Sequence, residues 1–276
     1  MSWSTETTAE QLAARAFDKQ SAVFDQIYSG NEIIQYKRNR VRQHVTDLMP
    51  ASCNMLELNA GTGDDAIYFA RLGHSIHATD ISEGMQQVLK QKIPSRNLEG
   101  RISTEICSFT ELEGLRYKGP FDYIFSNFAG LNCTSQIEKV LSSFSPLVKP
   151  GGFVTFVILP KFCLWETLLV FKGKFGTAFR RFFSKGGRKA HIEGEHFLCW
   201  YYNPSTIRKC LKHDFKIRRL EGLCTIVPPS YIEQFVKKHP RLFRILQRIE
   251  DRWKSMWPWR SIGDYYIISF QKKGSA

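Results

Sequence analysis

Two stretches of this 276-residue chain carry side chains whose types and spacing could do chemistry. The first is Glu57-Leu58-Asn59-Ala60-Gly61-Thr62-Gly63, followed by Asp80. Glycines at such a point let the backbone turn sharply and approach a ligand with no Cβ in the way. An acidic residue at the end of the next strand would face the same crevice, where its two oxygens can accept hydrogen bonds from a pair of ribose hydroxyls. The second is His191-Ile192-Glu193-Gly194-Glu195-His196. An imidazole titrates near neutrality and can take a proton from a reacting group. His196 is therefore the candidate general base, with Glu195 or His191 as its partner.

These residues need elements to position them. Residues 1–50 read as a helical N-terminal cover, with Phe17, Phe24, Ile27 and Tyr28 at helical spacing and a break at Gly30-Asn31. From residue 51 to 160 short apolar strands alternate with amphipathic helices, the rhythm of a parallel sheet with helices on both faces. The glycine loop falls between the first strand and the first helix of this core, and Asp80 ends the second strand. The alternation lapses over residues 161–202, an insertion expected to be α-rich and to act as a lid. Residues 203–276 resume the α/β pattern, with a helical stretch from Tyr231 to Trp253 and a closing strand at Tyr265 to Phe270.

Gly61-Thr62-Gly63-Asp64-Asp65-Ala66 also fits the dinucleotide fingerprint, so the loop alone does not choose its ligand. Asp64 and Asp65 at the helix start would repel a pyrophosphate. S-adenosylmethionine (SAM) brings no phosphate, and its sulfonium and ammonium groups suit an acidic loop containing Glu57. Four ordered motifs then carry a resemblance. Met55 to Gly63, His77 to Met85, Phe121 to Asn127 and Leu147-Val148-Lys149-Pro150-Gly151-Gly152 together resemble the class I SAM-dependent methyltransferases of small-molecule type, over about residues 53–159.

The resemblance implies a seven-stranded, mostly parallel sheet whose last strand runs antiparallel beside the fifth. It implies that Glu57 and the backbone of Asn59, Ala60, Gly61, Thr62 and Gly63 hold the methionine part of SAM, and that Asp80, with Ile81 beside it, takes the ribose. Met85 would pack near the adenine, Cys107, Ser108 and Phe109 would flank its ring, and Asn127 would line the cleft by the reactive methyl. Asn59 stands where the family has its first loop glycine; asparagine tolerates the left-handed backbone such a turn needs. The segments around Tyr28, Tyr36 and Arg40 resemble the helical cover that closes over SAM, so these three would reach its carboxylate or shut the cleft.

Charge is divided unevenly. Residues 1–150 hold 15 Lys/Arg and 17 Asp/Glu, residues 151–276 hold 24 and 9. The insertion interleaves Trp165, Phe171, Phe175 and Phe183 with Lys172, Lys174, Arg180 and Lys185. Such a segment reads as a lid over an apolar pocket, a contact with an anionic membrane surface, or the aromatic core of a subdomain. A lid over a small hydrophobic or aromatic acceptor, methylated on oxygen or nitrogen, is the favoured reading. Nucleic acid is disfavoured, because Ser126-Asn127-Phe128-Ala129 lacks the N-P-P-Y tetrapeptide of many DNA amino-methylating enzymes, but RNA methylation stays open. So do a SAM-binding protein without turnover and an NAD-linked enzyme. Seven scattered cysteines form no C-x-x-C and no zinc-type spacing, so no metal is expected. Unpaired thiols and a polar start imply a cytoplasmic protein. The oligomeric state is left open.

Overall fold

A capping box begins the fold. Thr8 Oγ1 accepts from the Gln11 amide and the Gln11 side chain accepts from the Thr8 amide, at 3.2 and 2.9 Å, opening α1 (Ala9–Gln20). The computed structural model describes residues 8–232 and 234–274, so residues 1–7 of the expected cover lie outside it. Asn31 divides α2 (Phe24–Ser29) from α3 (Glu32–Thr46), its side chain accepting from the amides of Ile33 and Ile34.

The core alternates as β1 (Asn54–Leu58), α4 (Asp64–Arg71), β2 (Ser75–Asp80), α5 (Glu83–Lys92), β3 (Ile102–Ile106), β4 (Phe121–Ser126), α6 (Ile137–Ser142) and β5 (Val148–Ile158). The insertion holds α7 (Leu164–Thr167), α8 (Phe175–Ala178), β6 (Arg188–Ile192) and β7 (Glu195–Cys199). After it come α9 (Pro204–Leu211), β8 (Phe215–Leu223), α10 (Gln234–Lys238), α11 (Pro240–Trp253) and β9 (Tyr265–Lys272). The seven-stranded sheet has the order β3-β2-β1-β4-β5-β9-β8, with β9 running antiparallel to both β5 and β8.

Both faces of the sheet are covered, so β1 is buried from Met55 to Leu58 without alternation in exposure. Leu56, Ile124 and Phe156 pack on one face with Phe144, and Met55, Phe125 and Val157 on the other with Phe69 and Val45. The strand order turns at β1 and β4, and ligands of open α/β sheets bind beyond the carboxyl ends of the strands at such a switch point.

Two expectations change. The insertion is not α-rich: α7 and α8 are single turns, and its second half is the antiparallel hairpin β6–β7. The stretch from Tyr231 to Trp253 is two helices, because Pro240 cannot donate within a continuing helix and instead opens α11.

Candidate functional site

Beyond β1 the chain turns through Asn59 and Gly61, both with positive φ (46° and 56°), into Gly63 at 78°. A Cβ at Gly63 would also lie 2.1 Å from Leu89 of α5, so only glycine fits where the loop meets the helix behind it. Asp80 folds back onto this loop, with Oδ2 accepting from the Gly61 amide at 2.8 Å and Oδ1 from the Ser82 amide at 2.9 Å. Burial pushes the Asp80 carboxyl up to about 6 despite these amides. Glu57 is fully enclosed. Burial, with the like charges of Asp65 and Asp80, pushes its carboxyl well above the usual range, and its Oε2 has no hydrogen-bond partner among the described residues.

The three cover helices each dock at a different point of this site. Asp18 of α1 accepts from Ser82 Oγ at 2.5 Å and from the Gly84 amide at 2.9 Å, sitting over the start of α5. Asp25 of α2 accepts from Thr62 Oγ1 at 2.6 Å and pairs with Lys92. From α3, Arg42 grips Asp65 at 2.7 Å and Arg38 pairs with Asp64. The acidic start of α4 is thus neutralised by arginines, whereas Glu57 beside the loop keeps an Oε2 without a hydrogen-bond partner among the described residues.

Loop, cover and insertion enclose a cavity of about 390 Å³, within the roughly 300–1,000 Å³ usual for small-molecule sites. Of the sequence candidates, Glu57, Asn59, Ala60, Gly61, Thr62, Asp80, Ile81, Met85, Phe109 and Asn127 line it. Gly63 caps α4 just behind the wall. Cys107 and Ser108 do not reach it: the Cys107 amide donates to the Asp80 carbonyl, and Ser108 Oγ is bonded to Thr110, leaving Phe109 to turn inward. Asn127 does not point freely into the cleft, since its Nδ2 donates to Asp65 at 2.6 Å. Phe128 and Ala129 follow with φ of 39° and 65°, a strained pair of non-glycine residues on the cavity wall.

The expected roles of Tyr28, Tyr36 and Arg40 do not fit their positions. Tyr36 Oη donates to Glu250 at 2.9 Å, Arg40 donates to Tyr36 and to Glu221, and both face α11 and β8. The residue of α3 that lines the cavity is Arg38, which lies roughly 200° around the helix from Tyr36. It is buried, and its Nε has no hydrogen-bond partner among the described residues. Tyr28 packs on Phe24 instead.

His191 and His196 come together, but on the face of the hairpin turned away from the cavity, and Glu195 points to the opposite face from them. Neighbouring strand residues point to opposite faces. Ala190 pairs with Phe197 toward the cavity, so His191 pairs with His196 toward solvent, with ring centroids 4.7 Å apart. Glu195 pairs with Lys19 at 2.5 Å, fastening the hairpin to α1.

The chamber beyond the loop is roofed by α1 and the hairpin, through Ala13, Phe17 and Phe197, and floored by Leu159 and Cys133. Its polar groups include Glu10 and Tyr201. Glu10 is 4% exposed and its carboxylate has no hydrogen bond or ion pair among the described residues. Cys133 lines the cavity, and burial first, then Cys199 and the carboxylates of Glu10 and Asp80, raise its thiol. Elsewhere Phe171 and Phe183 of the insertion are 87% and 72% exposed, while Phe162, Phe179 and Phe182 pack on one another, so the insertion has only a partly packed aromatic row. What holds it down is Arg181, donating to Glu166 at 2.6 Å and to Asp264 at 2.8 Å. Those two carboxylates and Cys163 lie within reach of one another, but with arginine on both acids they form an ion-pair network.

Residues 55–152 match the family described as a methyltransferase domain. A demethylmenaquinone methyltransferase of Leptospira interrogans is 24% identical over 140 residues, 49% of this chain and 55% of that protein. The chain spans about half the length of the curated relatives it matches. Among solved structures, a 1,6-didemethyltoxoflavin-N1-methyltransferase of Burkholderia thailandensis, with 1,6-didemethyltoxoflavin and S-adenosylhomocysteine bound, superposes with a TM-score of 0.57. That match is 13% identical and covers 99% of this chain and 93% of the other. The cyclase SpnF superposes with a TM-score of 0.63 at 15% identity over 97% and 98%. The sheet order is that of a Rossmann-like fold, and residues 55–152 within it are similar to a methyltransferase domain. The likeness to a cyclase shows that this fold by itself does not name the reaction.

Proposed function

We propose that the chain binds SAM and transfers its methyl group to a small, apolar acceptor held under α1 and the β6–β7 hairpin. The observation that carries this reading is the continuity of the cavity: Glu57, Arg38 and Asp80 line one end, and the Phe17–Phe197 chamber with Glu10 lines the other. Asp80 accepts the ribose hydroxyls, its oxygens already oriented by two backbone amides. Glu57 gives the ammonium a buried counter-charge, and Arg38 offers its free Nε to the carboxylate. Met85 and Phe109 pack on the adenine. No phosphate fits beside Glu57, which disfavours a dinucleotide.

Methyl transfer is an in-line displacement, so alignment and exclusion of water carry much of the catalysis. In this reading Glu10 accepts the proton of an O–H or N–H acceptor, the part first assigned to His196. The neighbour from Burkholderia acts on a small heteroaromatic molecule, and that precedent supports an acceptor of this size. The exposed phenylalanines of the insertion, with its lysines, would suit an acceptor that partitions to an anionic membrane surface. No helix of the described residues is long and apolar enough to cross a membrane. Incubation with methyl-labelled SAM and fractionated small-metabolite and lipid extracts tests the reading. Label should enter a small-molecule fraction; label in RNA alone, or SAM binding without transfer to any fraction, would refute it.

A further inference from the structure

Helix α11 is fastened to the core by a few groups on one side. Glu250 accepts from the amides of Cys224, Thr225, Ile226 and Val227 at 2.9–3.0 Å and from the Tyr36 hydroxyl at 2.9 Å. Phe243 enters a small cluster with Ile33 and Val227. On the outer side the one ring contact among the described residues is that of Trp253 with Trp259, centroids 5.2 Å apart. Yet Leu242, Ile245, Ile249 and Trp253 follow one another at spacings of three and four, making a stripe three turns long. Ile245 is 50% exposed, and just past the helix Trp257 is 77% exposed with Met256 beside it.

A second stripe runs parallel to the first, one position earlier: Arg241, Arg244, Arg248 and Arg252. All four are exposed, and none makes an ion pair among the described residues. Residues 234–260 hold eight Lys/Arg and two acids, of which Glu250 is turned inward. An apolar row flanked by arginines, with tryptophans at its end, is the pattern of a helix that lies in the plane of a lipid interface. There the aliphatic side chains enter the acyl boundary and the guanidinium groups meet anionic headgroups.

We propose that the outer face of α11, together with Met256 and Trp257, seats on an anionic lipid bilayer. A second copy of this chain is a poor occupant, because a two-fold contact through this face would bring one arginine row toward the other. A nucleic acid would use the arginines but leave Leu242 and Ile245 without a partner. The proposal stands independently of methyl transfer.

The test is co-sedimentation of the full chain with vesicles of phosphatidylcholine alone and of phosphatidylcholine with one quarter phosphatidylglycerol, at low salt and at high salt. The chain should pellet with the anionic vesicles, at least tenfold more weakly with the neutral ones, and less at high salt as screening grows. The triple variant Arg241→Glu/Arg244→Glu/Arg248→Glu should lose at least tenfold in vesicle affinity. The variant Ile245→Ser/Trp257→Ser should lose a comparable amount while its arginines remain. Thermal melting and S-adenosylhomocysteine binding check that both variants stay folded, since all these side chains are on the surface. Failure of the wild type to pellet with anionic vesicles at low salt would overturn the proposal. So would binding unaffected in either variant, or loss only of self-association or of RNA binding.

Discussion

Asn59 occupies the space a side chain at Gly130 would need: a Cβ there would lie 2.1 Å from the Asn59 Cγ. Asn59 fills that gap by donating to the Asn127 carbonyl at 3.0 Å and accepting from Ser126 Oγ at 2.5 Å. The departure from glycine at the first position of the loop is therefore matched across the switch point, and the amide joins the ends of β1 and β4.

This pairing predicts strong non-additivity. Gly130→Ala should cost about 1–3 kcal/mol in stability, because Asn59 is pinned by two hydrogen bonds and cannot simply swing aside. Asn59→Gly alone should cost about 1 kcal/mol through those lost bonds, partly offset by relief of its left-handed backbone. The double variant should be more stable than Gly130→Ala by itself. Urea denaturation of the four proteins measures the coupling, and simple addition of the two single effects would show that the two positions do not compensate each other.

Cofactor affinity should depend on pH through Asp80. The ionised carboxylate accepts the ribose hydroxyls, and its pKa lies at about 6 in the folded protein. Below pH 6 binding must expel a proton, so affinity should fall by up to about tenfold per pH unit there and level off above it. The effect on folding runs the other way. With its pKa raised from 3.8, Asp80 contributes stability that is fully present below that value and lost as pH rises through about 6. Asp80→Asn should weaken S-adenosylhomocysteine binding and flatten its pH profile between 5 and 7. Calorimetry across that range decides, and an unchanged slope in the variant would assign the titration to another group.

Glu10→Gln and His196→Ala should separate the two candidate bases. Glu10 lines the chamber and is buried with no hydrogen bond or ion pair among the described residues, while His196 faces solvent across the hairpin. The glutamine variant should lose about 10²–10⁴ in kcat with S-adenosylhomocysteine affinity held within about threefold, as for removal of a general base. His196→Ala and Glu195→Ala should leave kcat unchanged at every pH. Steady-state assays at saturating SAM test both halves of this statement, and the reverse outcome would restore the histidine.

The parts of the site that sequence made legible are those fixed by local offsets. Glu57 to Thr62, Asp80 and Met85 occur at strand ends and a helix start, where a few residues of spacing determine which side chain faces the crevice. Phase and pairing were harder to see. The sequence points to Tyr36 and Arg40 and not to Arg38, because only the docking of α3 on α4 reveals which face of the helix turns inward. In the His191–His196 segment the telling signal is strand alternation, which Phe197 beside His196 carries. Glu10 had no local mark at all, because it matters only once α1 lies against a hairpin some 180 residues later.

The final prediction concerns what holds the insertion over the chamber. Arg181 is 3% exposed, donates to Glu166 and Asp264, and stacks 5.2 Å from the ring of Tyr201 on the cavity wall. Arg180 binds Glu166 with two hydrogen bonds, but its side chain is 46% exposed. Removing a buried cation leaves carboxylates without compensation, whereas an exposed pair is worth little in water. Arg181→Met should therefore destabilise by about 3–5 kcal/mol, since Lys37 at 3.7 Å can answer for Asp264 only in part. Arg180→Met should cost under about 1 kcal/mol. If limited proteolysis finds the insertion cut faster in the Arg181 variant while the sheet keeps its unfolding transition, the insertion opens as a unit. A single shared transition lowered by the same amount would instead make Arg181 part of the core, joined to β9 through Asp264.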